Sequence, residues 1–244
     1  MIVVAHRGSS GTAPENTMAA FLAAAAAGAD LIELDVRFSA ECTCVVMHDR
    51  SLRRTTNGRG YVHATPLSVL QRLDAGRWFS PRFATERIPT LAEVLDALPP
   101  AVGMNCEVKT DGDPRSRLER ARVLAETLRH HGRGRLLIVS SFDHRFLSIL
   151  SHLAPALALG VLLQPVRDIT RRASRLAHRV GATSIFCSRR MLRRRLVDDA
   201  RRHHLNIGVY AVDTPAQLLR MQRYGVDMVF TNHPEILLPC LVNV

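Results

Sequence analysis

Lysine is all but missing from this 244-residue chain: Lys109 is the single one, so the formal net charge of +11 is carried by arginine. Aromatic residues are scarce as well, at 5%, which removes the stacking platforms that a single-stranded nucleic-acid binder sets among its basic residues. The arginines are spread along the chain, not gathered in one arm. In the densest run, "SRRMLRRRLVDDARRHH", Leu192, Leu196 and Ala200 recur every four residues, the pattern of an outer helix with a solvated arginine face. No nucleic-acid partner is therefore expected, while a basic exterior leaves contact with an anionic membrane surface open. The five cysteines, Cys42, Cys44, Cys106, Cys187 and Cys240, are odd in number and form no CxxC pair, so neither a disulfide framework nor a thiolate zinc site is indicated. No leader is expected before the apolar run that starts at Ile2, and no apolar stretch is long enough to span a bilayer. The expectation is a soluble cytoplasmic protein.

What is present is alternation. Short β-branched runs recur at Ile2 to Ala5, Leu31 to Val36, Gly103 to Lys109, Arg135 to Ser141, Leu157 to Leu162, Thr183 to Cys187, Ile207 to Val212 and Met228 to Thr231. Amphipathic segments lie between them. Their starts are marked by Thr90 with Glu93, Asp113 with Pro114, Asp143, and Thr214 with Pro215. Buried stripes follow as Phe146, Leu147, Leu150 and Leu153, and as Ile169, Ala173, Leu176 and Val180. Eight strand and helix units in this length predict a (β/α)8 TIM barrel; the absence of GxGxxG after the first strand removes the usual reason for an open dinucleotide-binding sheet. No linker or repeat interrupts the chain, so residues 1–244 are expected to form a single domain. One segment breaks the alternation: "RFSAECTCVVMHD" follows the second strand so closely that it must return as a hairpin. A two-residue turn at Glu41 and Cys42 would set Asp35 opposite His48. Residues 50–87 then form a small insertion, expected to cap the barrel mouth, before "IPTLAEVLDAL" resumes the pattern.

Charged residues close the strands. Glu33 and Asp35 in "LIELDV" leave one face of a strand roughly 7 Å apart, and Glu107 and Lys109 repeat the spacing in "NCEVK". One such pair alone is commonly the solvated face of an edge strand. Two pairs pointing into a barrel are not core, because an unpaired buried charge is strongly unfavourable. Three carboxylates converging with Lys109 and Arg7 suit a hard divalent cation, and the lack of a thiolate among them favours Mg²⁺ or Ca²⁺ over zinc. His6, at the end of the first strand, and His48, after the hairpin, join this group; His130, His131, His203 and His204 fall at helix ends or in loops and are read as surface.

Taken in order, "AHRG", "APENTMAAF", "GADLIELDV", "VVMHDRSLRRTTNGRG", "IPTLAEVL", "CEVK", "SSF" and "GVDMVFTNHP" resemble the glycerophosphodiester phosphodiesterase family over nearly the whole chain. The resemblance implies a TIM barrel with a small insertion, and hydrolysis of glycerophosphodiesters to sn-glycerol 3-phosphate and an alcohol with a divalent cation. By the family pattern His6 and His48 are the acid and base pair. Glu33, Asp35 and Glu107 match the metal ligands, and Arg7 and Lys109 hold the phosphate. The chain departs from the pattern at Glu41-Cys42, where Asp-Gly is usual, and at Tyr210, where the family carries Trp. Tyr210 is then either an aromatic lining the mouth in contact with substrate or a core tyrosine. Two other readings are carried forward. A lysophospholipase-D-like enzyme would use Trp78, Phe79 and Phe83 to receive an acyl chain, and a non-catalytic phosphate or nucleic-acid binder would have no use for the carboxylates.

Overall fold

The computed structural model describes all of the chain except residues 111–115, 166, 167, 169–171, 243 and 244. The expected helix start at Asp113-Pro114 and the stripe position Ile169 lie outside the described residues. The first half runs β1 (Ile2–His6), α1 (Met18–Ala26), β2 (Leu31–Phe38), β3 (Cys44–Val46), the short α2 (Leu67–Leu70), α3 (Leu91–Ala97) and β4 (Gly103–Val108). It continues with α4 (Arg117–His131), β5 (Leu137–Ser141), α5 (His144–Leu153), β6 (Ala158–Leu162), α6 (Ala173–Val180) and β7 (Ser184–Ser188). The chain ends with α7 (Arg194–Arg202), β8 (Asn206–Tyr210), α8 (Pro215–Tyr224), β9 (Met228–Thr231), α9 (Pro234–Leu237) and α10 (Pro239–Val242).

Local chemistry sets the helix starts. Thr90 and Glu93 make a reciprocal capping box on α3, the Asp143 carboxylate accepts from the backbone N–H groups of Arg145 and Phe146, and Thr214 caps α8 with Pro215 in its first turn. Each strand buries both faces, as a parallel sheet under a helical coat must. In β2, Ile32, Leu34, Val36 and Phe38 point out into the layer shared with the helices. Leu31, Glu33 and Asp35, on the alternate positions, point in.

All strands but β3 run parallel, and β1 pairs with both β2 and β9, so eight strands close into a TIM barrel. The interior is plugged by Val4, Leu31, Ile138, Leu162, Phe186, Met228 and Phe230. Phe186 fits only because its flanking strands carry glycine where its ring lies: a Cβ on Gly160 would lie 2.3 Å from the Phe186 ring, and one on Gly208 2.7 Å from it. Above this plug the inward residues turn polar, which confines chemistry to the C-terminal ends of the strands.

The hairpin corrects one expectation. Val36 pairs with Val46 and Phe38 with Cys44, and the Met47 amide donates to the Asp35 carbonyl at 2.9 Å, so Asp35 faces Met47, not His48. The connection is three residues, 40–42, closed by the Ser39 amide donating to Thr43 O at 2.9 Å, with Cys42 in the left-handed region at φ 64°. Cysteine has no special tolerance for that conformation, so the sequence carried no turn signal there. The register puts Val45 and Met47 into a separate apolar cluster with Leu52, Val62, Leu70, Ala75 and Ile88, the core of the insertion. Arg82 donates to Thr12 O at 3.1 Å and Glu86 accepts from the Ala19 amide at 3.2 Å, which ties the insertion to the loop after β1, at the barrel mouth. Two stripe positions also differ. Leu153 is exposed, as the last residue of α5, and Leu192 is buried in the turn before α7, whose inner face is Val197 and Ala200 with Leu196 half-buried. Among the described residues no helix is long and apolar enough to cross a membrane.

Candidate active site

His6 is the last residue of β1, and Arg7 follows in the left-handed region at φ 58°. Gly8, at φ 79°, keeps the turn going; any Cβ there would stand 2.6 Å from the Ala20 backbone. This reversal swings the Arg7 amide onto Glu33 Oε2 at 2.9 Å and its guanidinium between two carboxylates. Nη1 donates to Glu15 Oε1 at 2.9 Å and Nε stands 3.2 Å from Asp35 Oδ2. Across the site Lys109, one residue past β4, sets its ammonium 3.0 Å from Asp35 Oδ1 and in contact with Glu107 Oε1. Asn16 completes the Asp35 environment reciprocally: its amide donates to Oδ2 at 2.8 Å and its oxygen accepts from the Asp35 N–H at 3.1 Å.

Glu33, Asp35 and Glu107 each offer an oxygen within 4.8 Å of the others, the one such cluster of potential ligands among the described residues. Glu33 Oε1 is buried with no hydrogen-bond partner. Burial and the charges of Asp35 and Glu107 push the Glu33 carboxyl well above its usual range, and burial likewise raises Glu107. Burial would raise Asp35 too, yet Lys109 and Arg7 hold it below the usual carboxylate range. Three hard oxygen donors that repel one another, one of them unpartnered, fit a divalent cation.

The two histidines are held from behind by different partners. His6 Nδ1 donates to Asn232 Oδ1 at 2.8 Å. The Asn232 amide is oriented by Asp213, which accepts from Nδ2 at 3.2 Å and from the backbone N–H at 2.8 Å, so its oxygen faces the ring. Ser10 Oγ donates to the same oxygen at 2.9 Å. His48 Nδ1 instead donates to the Asp49 carboxylate at 2.6 Å, and its backbone oxygen is gripped by Arg37. Nδ1 is thereby engaged on both rings, and both residues line a cavity of about 230 Å³, with His6 Nε2 4.0 Å from Glu33 Oε2. Burial, then the Arg7 charge, lowers His6 to about 4. Burial, outweighing Asp35 and helped by Arg7 and Lys109, lowers His48.

His6, Arg7, Glu33, His48, Glu107, Lys109 and Tyr210 line that cavity, and Asp35 lies directly beneath the Arg7 and Lys109 heads; Trp78, Phe79 and Phe83, the aromatics expected to receive an acyl chain, are not among its lining residues. Tyr210 lines its wall and also packs on the interior apolar cluster. Ser141 is a turn residue: its hydroxyl donates to Val108 O at 2.8 Å and accepts from the Asp143 amide at 3.0 Å. His130, His203 and His204 are exposed, and His131 is half-buried against Asp96 at 2.9 Å. Sequence reasoning did not single out Asn232, Asp213, Glu15, Asn16, Asp49 or Arg54 as site residues. They sit in loops, where periodicity is silent; the only trace was the presence of Glu15, Asn16, Asp49, Arg54 and Asn232 inside the "PENT", "HDRSLRR" and "TNHP" stretches, and Asp213 had none.

The glycerophosphoryl diester phosphodiesterase family profile matches residues 6–236. A glycerophosphodiester phosphodiesterase from Caldanaerobacter subterraneus subsp. tengcongensis is 35% identical over 238 residues, spanning 97% of this chain and 96% of its own. An Oleispira antarctica phosphodiesterase, solved in complex with the product sn-glycerol 3-phosphate, superposes with a TM-score of 0.92 at 30% identity, covering 99% of this chain and 97% of that one. The glycerophosphodiester phosphodiesterase of Agrobacterium tumefaciens superposes at 0.83 with 32% identity over the full length of both chains.

Proposed function

The chain belongs to the glycerophosphoryl diester phosphodiesterase family and is an enzyme of that class, and from that premise we propose that it hydrolyses glycerophosphodiesters to sn-glycerol 3-phosphate and an alcohol with His6 and His48 as its proton-transfer pair. The single observation that carries the mechanism is that two imidazoles, each held at Nδ1 by a differently charged back partner, line one cavity. The neutral amide oxygen of Asn232 fixes the neutral tautomer of His6 and leaves Nε2 free to accept a proton from the attacking oxygen. Burial lowers His48 as well, but the Asp49 carboxylate works against that and favours the charged ring, so of the two imidazoles His48 is the one assigned to give a proton to the departing alkoxide. Water supplies the attacking oxygen and the two protons balance: one goes to His6, one leaves His48 with the alcohol.

Arg7 and Lys109 would hold the phosphoryl oxygens, Arg by its planar fork and Lys as a point charge; both are oriented by carboxylates before substrate arrives, so little ordering remains to be done on binding. Tyr210 would contact the substrate from the apolar wall. Glu33, Asp35 and Glu107 would hold a divalent cation, Mg²⁺ or Ca²⁺, which when bound supplies charge neutralisation at phosphorus and acidifies a coordinated hydroxyl. The product bound by the Oleispira enzyme supports glycerol 3-phosphate as the product here.

The test is release of the head-group alcohol, choline or ethanolamine, from a panel of glycerophosphocholine, glycerophosphoethanolamine and lysophosphatidylcholine, leaving glycerol 3-phosphate from the first two and lysophosphatidic acid from the third, by chelator-treated protein with Mg²⁺ or Ca²⁺ added back. Turnover of the deacylated diesters is expected on add-back. Turnover of lysophosphatidylcholine alone would transfer the reading to a lysophospholipase D, and no turnover of any member would remove it.

A further inference from the structure

Positive charge is shared unevenly between the two ends of the barrel. On the end away from the active site, the segments that lead from a helix into the next barrel strand carry Arg133 and Arg135 against Asp30 and Asp227, so their side chains balance. The mouth does not balance. The insertion exposes Arg53, Arg59, Arg72, Arg82 and Arg87, and among the described residues none of these five has a carboxylate within 4.0 Å. β7 stands opposite β2 in the closed strand order, and the turn after β7 exposes Arg189, Arg190 and Arg193, likewise without a carboxylate partner among the described residues. Arginine without an ion-pair partner therefore flanks the cavity on two opposite sides, a charge field directed out of the mouth.

An aromatic group sits in the same rim. Trp78, the one tryptophan of the chain, is 42% exposed, and neither it nor Phe79 nor Phe83 belongs to the apolar cluster that forms the core of the insertion. Nor do they line the catalytic cavity. The three rings hold one another instead: Trp78 meets Phe79 edge-on at 5.7 Å between centroids, and Phe79 meets Phe83 at 5.8 Å. Trp78 Nε1 donates to Ala75 O at 2.9 Å, and any Cβ on Gly76 would collide with the Phe83 carbonyl, so the indole is fixed in place with its polar group already satisfied. Arg82 stacks on the Phe83 ring at 4.6 Å from its centroid. Neither the fold nor the chemistry accounts for a rigid exposed indole set among arginines.

We propose that the mouth face docks on an anionic lipid bilayer, with Trp78 at the level of the headgroups and the arginines of the insertion and of the β7 turn on lipid phosphates. An indole is favoured at that boundary, where its ring leaves water, and a basic rim is drawn to the negative surface. Nucleic acid fits the same charge less well, because a strand follows a continuous groove, whereas these arginines stand on opposite sides of a concave opening. Charge around a rim meets a plane. The proposal concerns a surface and does not rest on the reaction assigned above.

The test is binding of the full chain to vesicles, read without turnover. Sedimentation with vesicles of phosphatidylcholine and phosphatidylglycerol in equal parts is expected, with none on phosphatidylcholine alone, and the affinity should fall as salt is raised. Because Trp78 is the only indole, its emission reports on this face directly and is expected to move to shorter wavelength on binding. Arg59→Gln, Arg72→Gln and Arg87→Gln combined should weaken binding about a hundred-fold, at roughly five-fold for each charge. Arg122→Gln, Arg129→Gln and Arg220→Gln combined, which remove as much charge from the outer helices α4 and α8, should weaken it far less, both variants keeping the wild-type circular-dichroism spectrum. Equal loss in the two would reduce the effect to net charge, and vesicle binding with unmoved Trp78 emission would put the contact on another face; either overturns the proposal, as does failure to bind. A single-stranded oligonucleotide that binds more tightly than the vesicles, displaces them and itself shifts Trp78 emission would give the face to nucleic acid and overturn it too.

Discussion

Arg54 grips Asp49 with two hydrogen bonds, Nε to Oδ2 at 2.6 Å and Nη2 to Oδ1 at 3.1 Å, and turns its other edge to Glu15 at 2.7 and 2.8 Å. Asp49 holds His48, and Glu15 holds Arg7. One guanidinium supplied by the insertion therefore orients both a proton-transfer group and a phosphate-binding group. The five residues in that chain come from the loop after β1 and from the segment that runs from the end of the hairpin into the insertion, so the mouth is assembled by ion pairs across segments that share no strand.

Arg54→Lys is expected to fail as a substitute, because a point charge cannot bridge two carboxylates in a plane. The expected outcome is a loss of about ten- to a hundred-fold in kcat, part of the two to four decades that a positioned acid or base contributes, with an unchanged circular-dichroism spectrum. Wild-type kcat in the lysine variant would show that neither His48 nor Arg7 depends on the bridge.

Replacing either imaginary end of the proton path should be more severe. His6→Ala and His48→Ala each remove an imidazole that lines the cavity, and each is expected to lower glycerol 3-phosphate release by about 10²- to 10⁴-fold while the protein still unfolds cooperatively. Turnover retained in both variants would mean that the histidines are not the proton-transfer pair.

Acid stability follows from His6. Burial lowers its pKa to about 4, against an ordinary value of 6.5, so below 6.5 the unfolded chain binds a proton that the folded one refuses. Stability from this residue is present above pH 6.5 and lost as the pH falls towards 4. Relative to His6→Asn, which cannot titrate, the wild type is expected to lose roughly 1 to 3 kcal/mol between those limits. Urea unfolding of both proteins at pH 7 and pH 4.5 measures the difference; parallel behaviour would contradict a buried neutral imidazole.

Much of this was legible before folding, and for identifiable reasons. Period-two alternation in "LIELDV" marked Glu33 and Asp35 as sharing a face, and the closed barrel turned that face inward. The same rule placed Glu107. Caps at Thr90, Asp143 and Thr214 are short-range chemistry and appear as written. What could not be read depends on contacts between distant loops. Asn232 meets His6 from 226 residues away, and nothing local marks an asparagine after a strand as the back partner of a histidine. The hairpin register failed for the opposite reason: it depends on one residue of turn length, and Cys42 in the left-handed region gives no compositional hint.

Cation binding should be visible without turnover. With Mg²⁺ or Ca²⁺ at a hundred times its dissociation constant, wild-type stability is expected to rise by about 2.7 kcal/mol, read as an increase in Tm. Glu33→Gln should abolish that increase. The cation-free variant is expected to be as stable as the wild type or more so, because its carboxyl is raised by burial and by the charges of Asp35 and Glu107, and amidation removes that repulsion. A full Tm response in Glu33→Gln would place the cation elsewhere.

The site also depends on the plug beneath it. Phe186 is fully buried, touches Phe230 edge-on at 5.1 Å between centroids, and forms part of the cavity floor. Its ring occupies volume that side chains on the neighbouring strands would otherwise fill, since a Cβ at Gly160 would come within 2.3 Å of it and one at Gly208 within 2.7 Å. Gly160→Ala should therefore displace the ring upward or bend β6, at a cost of about 1 to 3 kcal/mol, a fall in Tm of roughly 2 to 12 °C for a chain of this size. A ring pushed upward would also encroach on the floor and raise KM. If sterics are the cause, Gly160→Ala combined with Phe186→Leu should recover part of what the first substitution loses, giving a favourable coupling in a double-mutant cycle. Strict additivity would instead mean that the glycine is required by its own backbone and not by the ring beside it.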